Sequence, residues 1–86
     1  MEKLIIAPFM ITEYKLKGNA LILYSLIFTY TLANGGWDTN REEYSLWTGA
    51  KINNSFFVQF RKLHEEGLIE VDPQKPHIWR TVRKEL

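Results

Sequence analysis

The chain has 86 residues, 45% of them hydrophobic, with 12 aromatic side chains and a net charge of +1, which fits one small folded domain and not an intrinsically disordered chain. It has no cysteine, so a disulfide scaffold, a thiolate metal site and a thiol nucleophile are all excluded, and a cytoplasmic location is expected. Residues 1–50 carry four Lys/Arg and five Asp/Glu, residues 51–86 seven and five, so the basic excess lies in the second half and amounts to two charges.

Residues 3–11 are apolar and rich in β-branched side chains, which predicts an extended arm or edge strand within an N-terminal arm of residues 1–17. No small-residue cleavage site follows a long apolar core there, so no signal peptide is expected. Lys17-Gly18-Asn19 ends the arm, and Asn19 is the expected N-cap of a first long helix near 19–33. Ala20 to Leu32 is apolar nearly all round, with Ser25 and Thr29 as its one polar stripe. Such a helix must be covered on most sides, and a small domain has little with which to cover it. A homodimer through helix 19–33, the arm 3–11, or both is therefore expected. The dense apolar run, Ala20 to Ala33, falls short of the roughly 20 residues a membrane span needs, so no membrane is expected. Asn34-Gly35-Gly36 stops the helix.

Trp37-Asp38 reads as one short strand. Asn40 and Glu43 have capping-box spacing, with Thr39 as the alternative cap, for a helix over 40–48 whose buried side is Tyr44, Leu46 and Trp47. Gly49 breaks it, and Asn53 or Asn54 caps the next helix, 54–66. There Phe56, Phe60 and Leu63 recur at i, i+4, i+7, flanked by Phe57 and His64. Asn54, Ser55, Val58, Arg61, Lys62 and Glu65 lie on the opposite side. After Gly67, Ile69 and Val71 alternate with Leu68, Glu70 and Asp72 as in a half-buried strand. Ile78 to Val82 answers across a loop bracketed by Pro73 and Pro76, with Ile78, Arg80 and Val82 in alternation with Trp79, Thr81 and Arg83. The expected core joins Phe56, Phe60, Leu63, Leu46, Trp47, Leu23 and Ile27.

Helix, turn, helix, hairpin in this order is the layout of a winged helix-turn-helix: an α+β fold of three helices and a small antiparallel sheet, with residues 68–83 as the β-hairpin wing. In that layout the outward face of helix 54–66 is the candidate reading surface. Asn53 and Asn54 have the two groups that match adenine, Arg61 and Lys62 suit guanine or phosphate, Ser55 suits phosphate, and Val58 suits a thymine methyl. Lys75, His77 and Arg80 in and beside the wing loop are the candidate backbone contacts. The same residues also read as a helix cap, a solvated face and an ordinary polar hairpin loop. His64 and His77 lack metal-ligand spacing, Glu42-Glu43 and Glu65-Glu66 point to different helix sides, and no phosphate loop or Ser-His-Asp set stands out. No enzyme activity, cofactor or metal is expected.

The run Leu16-Lys17-Gly18-Asn19-Ala20-Leu21-Ile22-Leu23-Tyr24-Ser25-Leu26-Ile27 is similar to the L-x-G-N-E-L-L-x-Y-A-L-I opening of the helix-turn-helix domain in phage replisome organisers and plasmid replication initiators. Gly36-Trp37, Arg41-Glu42-Glu43-Tyr44 and Leu46-Trp47-Thr48-Gly49 resemble that family's second helix. Phe60-Arg61-Lys62-Leu63-His64-Glu65-Glu66-Gly67-Leu68-Ile69 resembles the close of its recognition helix, a motif common to many winged helices. The resemblance spans residues 16 to about 83 and implies a DNA-binding protein of replication initiation or transcriptional regulation. Double-stranded DNA, and other replication proteins as well, would be its partners. Where the family often begins its recognition helix with basic residues, this chain has Ile52-Asn53-Asn54-Ser55-Phe56, and a commonly basic position is Val58. The family's C-terminal region has no counterpart after the wing, as expected of a stand-alone regulator or a fragment. Those departures keep a second reading open: a winged helix used for protein interaction, without DNA binding, with Phe57 and Val58 in an apolar contact.

Overall fold

An all-round apolar helix needs partners on every side, and the chain supplies them to α2 (Gly18–Asn34) from before and after it in sequence. The computed structural model describes residues 3–39, 43–49 and 54–82. Among these residues the protein is mixed α+β. Four helices, α1 (Pro8–Thr12), α2, α3 (Glu43–Thr48) and α4 (Asn54–Glu65), accompany an antiparallel sheet of β1 (Trp37–Asp38), β2 (Ile69–Asp72) and β3 (Lys75–Thr81). The strand order is β1-β3-β2. None of the described helices is long and apolar enough to cross a membrane.

The N-terminal arm departs from expectation. Residues 3–11 pair with no strand; Pro8 starts a short helix instead. Proline suits the first helical position because its fixed φ is helical and its missing N–H has no intrahelical partner to lose. Two bonds then tie the arm to the polar stripe of α2. The Ile5 N–H donates to Thr29 Oγ1 at 2.9 Å, and the Ser25 hydroxyl donates to Met10 Sδ at 3.4 Å. Thr29 Oγ1 in turn donates to the Ser25 carbonyl at 2.7 Å. Phe9 meets Tyr14, Tyr24 and Phe28 edge-on at centroid distances of 5.3, 6.4 and 5.8 Å. Met10 and Leu16 are buried with Leu23, Tyr24, Leu26 and Ile27. The chain thus covers most of α2 itself. Of the large apolar side chains on α2, Leu32 is left exposed.

The first turn of α2 is also entered differently. Lys17, not Asn19, takes the N-cap position, with no side-chain cap bond, because the helical bonding already begins from its carbonyl, which accepts the Leu21 N–H at 3.4 Å. The C-terminus follows the glycine logic. Gly35 adopts φ 81° and donates back to the last turn. Gly36 permits the close approach of β3, since a Cβ there would stand 2.6 Å from the Ile78 side chain and 3.0 Å from the Trp79 carbonyl oxygen.

Helix α3 buries Glu43 and Tyr44, whereas Leu46 is 81% exposed and Trp47 37% exposed. The expected burial of Leu46 and Trp47 therefore fails. Glu43 is drawn inward by the Tyr30 hydroxyl, which donates to Glu43 Oε1 at 2.9 Å. With Tyr44 fixed inward, Leu46 is carried about 200° around the helix to the outside. The other half of the expected capping box, Asn40, and the alternative cap Asn53 lie outside the described residues. Helix α4 follows its periodicity: Phe56 and Leu63 are buried and Phe60 is half-buried. Tyr44, Phe56, Phe60 and Trp79 form a continuous aromatic column, with successive centroids 4.8, 5.6 and 4.7 Å apart.

In the sheet, Trp79 stands opposite Trp37 on β1 and Val71 on β2, and Arg80 stands opposite Glu70. Because neighbouring residues of a strand face opposite sides, the Trp79 side of β3 meets α4 and the Arg80 side faces away from it. Burial does not follow the expected alternation: Leu68 and Ile69 are both buried and Ile78 to Thr81 are all half-buried, with a register shift between Val71 and Asp72.

Removing the Thr29 hydroxyl as Thr29→Val should lower stability by about 1–3 kcal/mol, the range for orphaning a part-buried N–H, read from urea unfolding. Leu46→Ser should stay within about 0.5 kcal/mol of the parent. A neutral Thr29→Val would remove the arm anchor from the account.

Candidate nucleic-acid interface

The outward residues of α4 share one exposed surface because the buried stripe fixes the helix rotation. With Phe56 and Leu63 inward, Asn54, Ser55, Val58, Arg61 and Lys62 are all exposed. Val58 is 62% exposed and Phe57 beside it 53%, its ring edge-on to Phe56 at 5.2 Å. With Glu65, which is also exposed on this side, the face mixes amide, hydroxyl, two cations, one carboxylate and two apolar groups. Asn53 lies outside the described residues.

The hairpin candidates sit apart from that face. Arg80 is committed: its Nη2 donates to Asp72 Oδ2 at 2.7 Å and its Nε donates to the Gly35 carbonyl at 3.2 Å. It ties β2, β3 and the end of α2 together on the side of the sheet away from α4. Lys75 is exposed at the hairpin turn, and it lines, with Asp38, Asp72, Ile78 and Arg80, a concavity of about 470 Å³ next to Tyr30 at the end of α2. His77 is exposed as well, and its carbonyl accepts the Thr39 N–H at 2.9 Å, which fixes the loop after β1 to β3. The structure thus brings Asn54, Ser55, Val58, Arg61 and Lys62 together on one helix and places Arg80 on the other side of the sheet.

Asp72 organises the hairpin turn. Its Oδ1 accepts the Gln74 and Lys75 N–H groups at 2.8 and 3.2 Å while Oδ2 holds Arg80. The bond from Arg80 holds the Asp72 carboxyl below its ordinary value of 3.8, with the Gln74 N–H as the next cause, and partial burial works the other way.

A further set of cations faces α4 from a part of the chain that its own sequence pattern does not mark. Lys15 and Lys17, just before α2, line with Val58, Gln59, Lys62 and Glu66 of the α4 region a concavity of about 450 Å³. Nothing in their local sequence signals this, because the juxtaposition comes from packing α4 across the start of α2. Among the described residues no group of three or more His, Asp or Glu side chains is placed to hold a metal ion.

Comparison with known proteins finds no family model, no curated protein and no solved structure that matches this chain.

The lowered carboxyl of Asp72 carries a sign. A group whose folded value is depressed contributes stability that is present above its unfolded value and lost as pH falls through the folded one. Asp72→Asn should therefore be less stable than the parent at neutral pH, and the gap should close as pH drops below 3.8. Urea unfolding of both proteins across that range checks it; a gap that stays constant into acid would sink the assignment.

Proposed function

We propose that the chain is a winged helix-turn-helix domain that binds duplex DNA in phage or plasmid replication initiation or in transcriptional regulation, acting in the cytoplasm without catalysing a reaction. In this reading α3 and α4 are the helix-turn-helix, α4 enters the major groove, and the β2–β3 hairpin is the wing on the backbone. The observation that carries the reading is the outward face of α4. A helix of 12 residues, about 18 Å long, is clamped by Phe56, Phe60 and Leu63 while Asn54, Val58, Arg61 and Lys62 remain exposed. The major groove admits an α-helix and presents adenine edges to Asn, guanine edges to Arg and Lys, and thymine methyl groups to an apolar side chain. The order of elements and the resemblance to replication initiators support the same choice. Lys75 and His77 are the backbone contacts of the wing, whereas Arg80 serves as the brace of the hairpin.

The exposure of Leu46, Phe57 and Val58 favours one other reading, a winged helix that docks another protein through apolar side chains. Ile5, Ile6, Ile11 and Leu32 are exposed too, and they are the groups through which the arm and α2 would form a homodimer. A two-fold dimer would offer two reading helices to half-sites about one duplex turn apart.

Titration of the protein into mixed-sequence duplex DNA at low salt, read by fluorescence anisotropy, separates the readings. DNA binding should weaken steeply as salt rises, because Lys and Arg release counterions from phosphates, whereas an apolar protein contact should hardly respond. Lys62→Ala should weaken all sequences alike and reduce the salt slope by about one unit. Asn54→Ala should lose about 1–3 kcal/mol of discrimination at a single base pair of a selected site. Absence of binding at tens of micromolar protein, within the usual range of non-specific affinities, would transfer the assignment to the interaction module.

A further inference from the structure

We infer that Lys15 and Lys17 form a second backbone clamp, gripping the phosphate strand on the side of α4 opposite the hairpin; the inference rests on the DNA-binding reading above. Three observations carry it. The first is position around α4. Trp79 of β3 packs against Phe60 and His64, which sets the hairpin flank of the helix. Lys62 lies two residues before His64, about 160° around the axis, and it shares the concavity with Lys15 and Lys17. The reading face thus has the sheet on one flank and the lysine loop on the other.

The second observation is fit. The major groove is about 12 Å wide and a helix with its side chains about 10–12 Å across, so each flank of an inserted helix faces one of the two phosphate strands. The hairpin serves one strand. The segment leading into α2 is the part of the chain that stands beside the other.

The third is charge. Lys15, Lys17 and Lys62 share the concavity with a single carboxylate, that of Glu66, in a chain of net charge +1. All three are exposed, and none has an ion-pair partner among the described residues, in contrast to Arg80. Three free ammonium groups around one hollow repel one another, and the phosphodiester strand of a duplex is the partner that neutralises them together while α4 occupies the groove.

The backbone at Lys15 supplies a clean variant. Its φ is 58°, the sole positive value outside glycine among the described residues, so Lys15→Gly removes the charge at a conformation glycine adopts freely. The test is anisotropy with a mixed-sequence duplex about two turns long, from about 50 to about 200 mM salt, on the parent, Lys15→Gly/Lys17→Gln, and Lys62→Gln, with thermal melting as the folding control. The double variant should melt with the parent. It should lower the salt slope by about two units, so that the same salt increase weakens it roughly tenfold less than the parent. The loss should be equal on all sequences. A slope unchanged in the double variant but lowered in Lys62→Gln overturns the clamp and leaves the DNA reading standing. A parent that binds no duplex overturns both, and binding to polyglutamate in place of duplex would assign the lysines to an acidic protein partner instead.

Discussion

Everything in this molecule depends on how a helix that is apolar nearly all round is enclosed by the rest of a chain of 86 residues. Residues from Leu23 to Ile27, then Thr29 and Tyr30, are all buried, so α2 has to be wrapped and not merely packed against. The wrap closes at the Ser25–Thr29 stripe. A threonine in mid-helix commonly turns its hydroxyl back to the carbonyl four residues before, and Thr29 does so. The same oxygen still has lone pairs, and the Ile5 N–H uses one of them. One hydroxyl therefore satisfies its own donor and fixes an arm 24 residues away in sequence. The Ser25 hydroxyl does the corresponding task with the Met10 sulfur, a soft and weak acceptor suited to a close-packed interior. With the arm in place, Phe9, Tyr14, Tyr24 and Phe28 interlock, and the remaining sides of α2 are left for β1, β3, α3 and α4.

That enclosure determines what could be read in advance. Where periodicity extends over three turns, as in α4, the buried stripe emerges from the sequence with its correct residues, because one rotation satisfies Phe56, Phe60 and Leu63 at once. The C-terminal glycine of α2 was legible for the same local reason. The six described residues of α3 span less than two turns, too few for apolar spacing to choose a face, and the choice fell to a polar contact, Tyr30 with Glu43, 13 positions apart. The arm misled by composition. Its β-branched residues favour a strand, yet it pairs with none of the described strands, and Pro8 starts a turn of helix instead.

The site divides along the same line. Asn54, Ser55, Val58, Arg61 and Lys62 could be grouped from helical spacing alone, since they are what remains when the buried stripe is subtracted. The place of Arg80 could not. Alternation states that Arg80 and Trp79 face opposite ways, but it does not state which of the two meets α4. The aromatic column decides it: Trp79 adds its ring to those of Phe60 and His64, and Arg80 is turned toward Asp72 and the Gly35 carbonyl. A residue that looks like a phosphate contact in sequence thereby becomes the brace that holds the hairpin against the end of α2.

This reassignment bears on how the proposed interface would work. A nearly neutral protein attracts DNA through where its cations stand and not through its total charge. Among the described residues around that surface, withdrawing Arg80 leaves Arg61 and Lys62 on α4, Lys75 on the hairpin and Lys15 and Lys17 before α2. Five phosphate contacts from these residues would give a salt slope of about 4–5, against a slope near 10 for a large repressor. One copy would then hold non-specific DNA weakly at physiological salt, and the amide of Asn54 and the methyl groups of Val58 would contribute a larger share of the total at the right sequence. On the proposed function, such a domain would discriminate well for its affinity, and would gain affinity most efficiently by presenting two copies to one site, since doubling the contacts would double the slope without adding a cation to either chain.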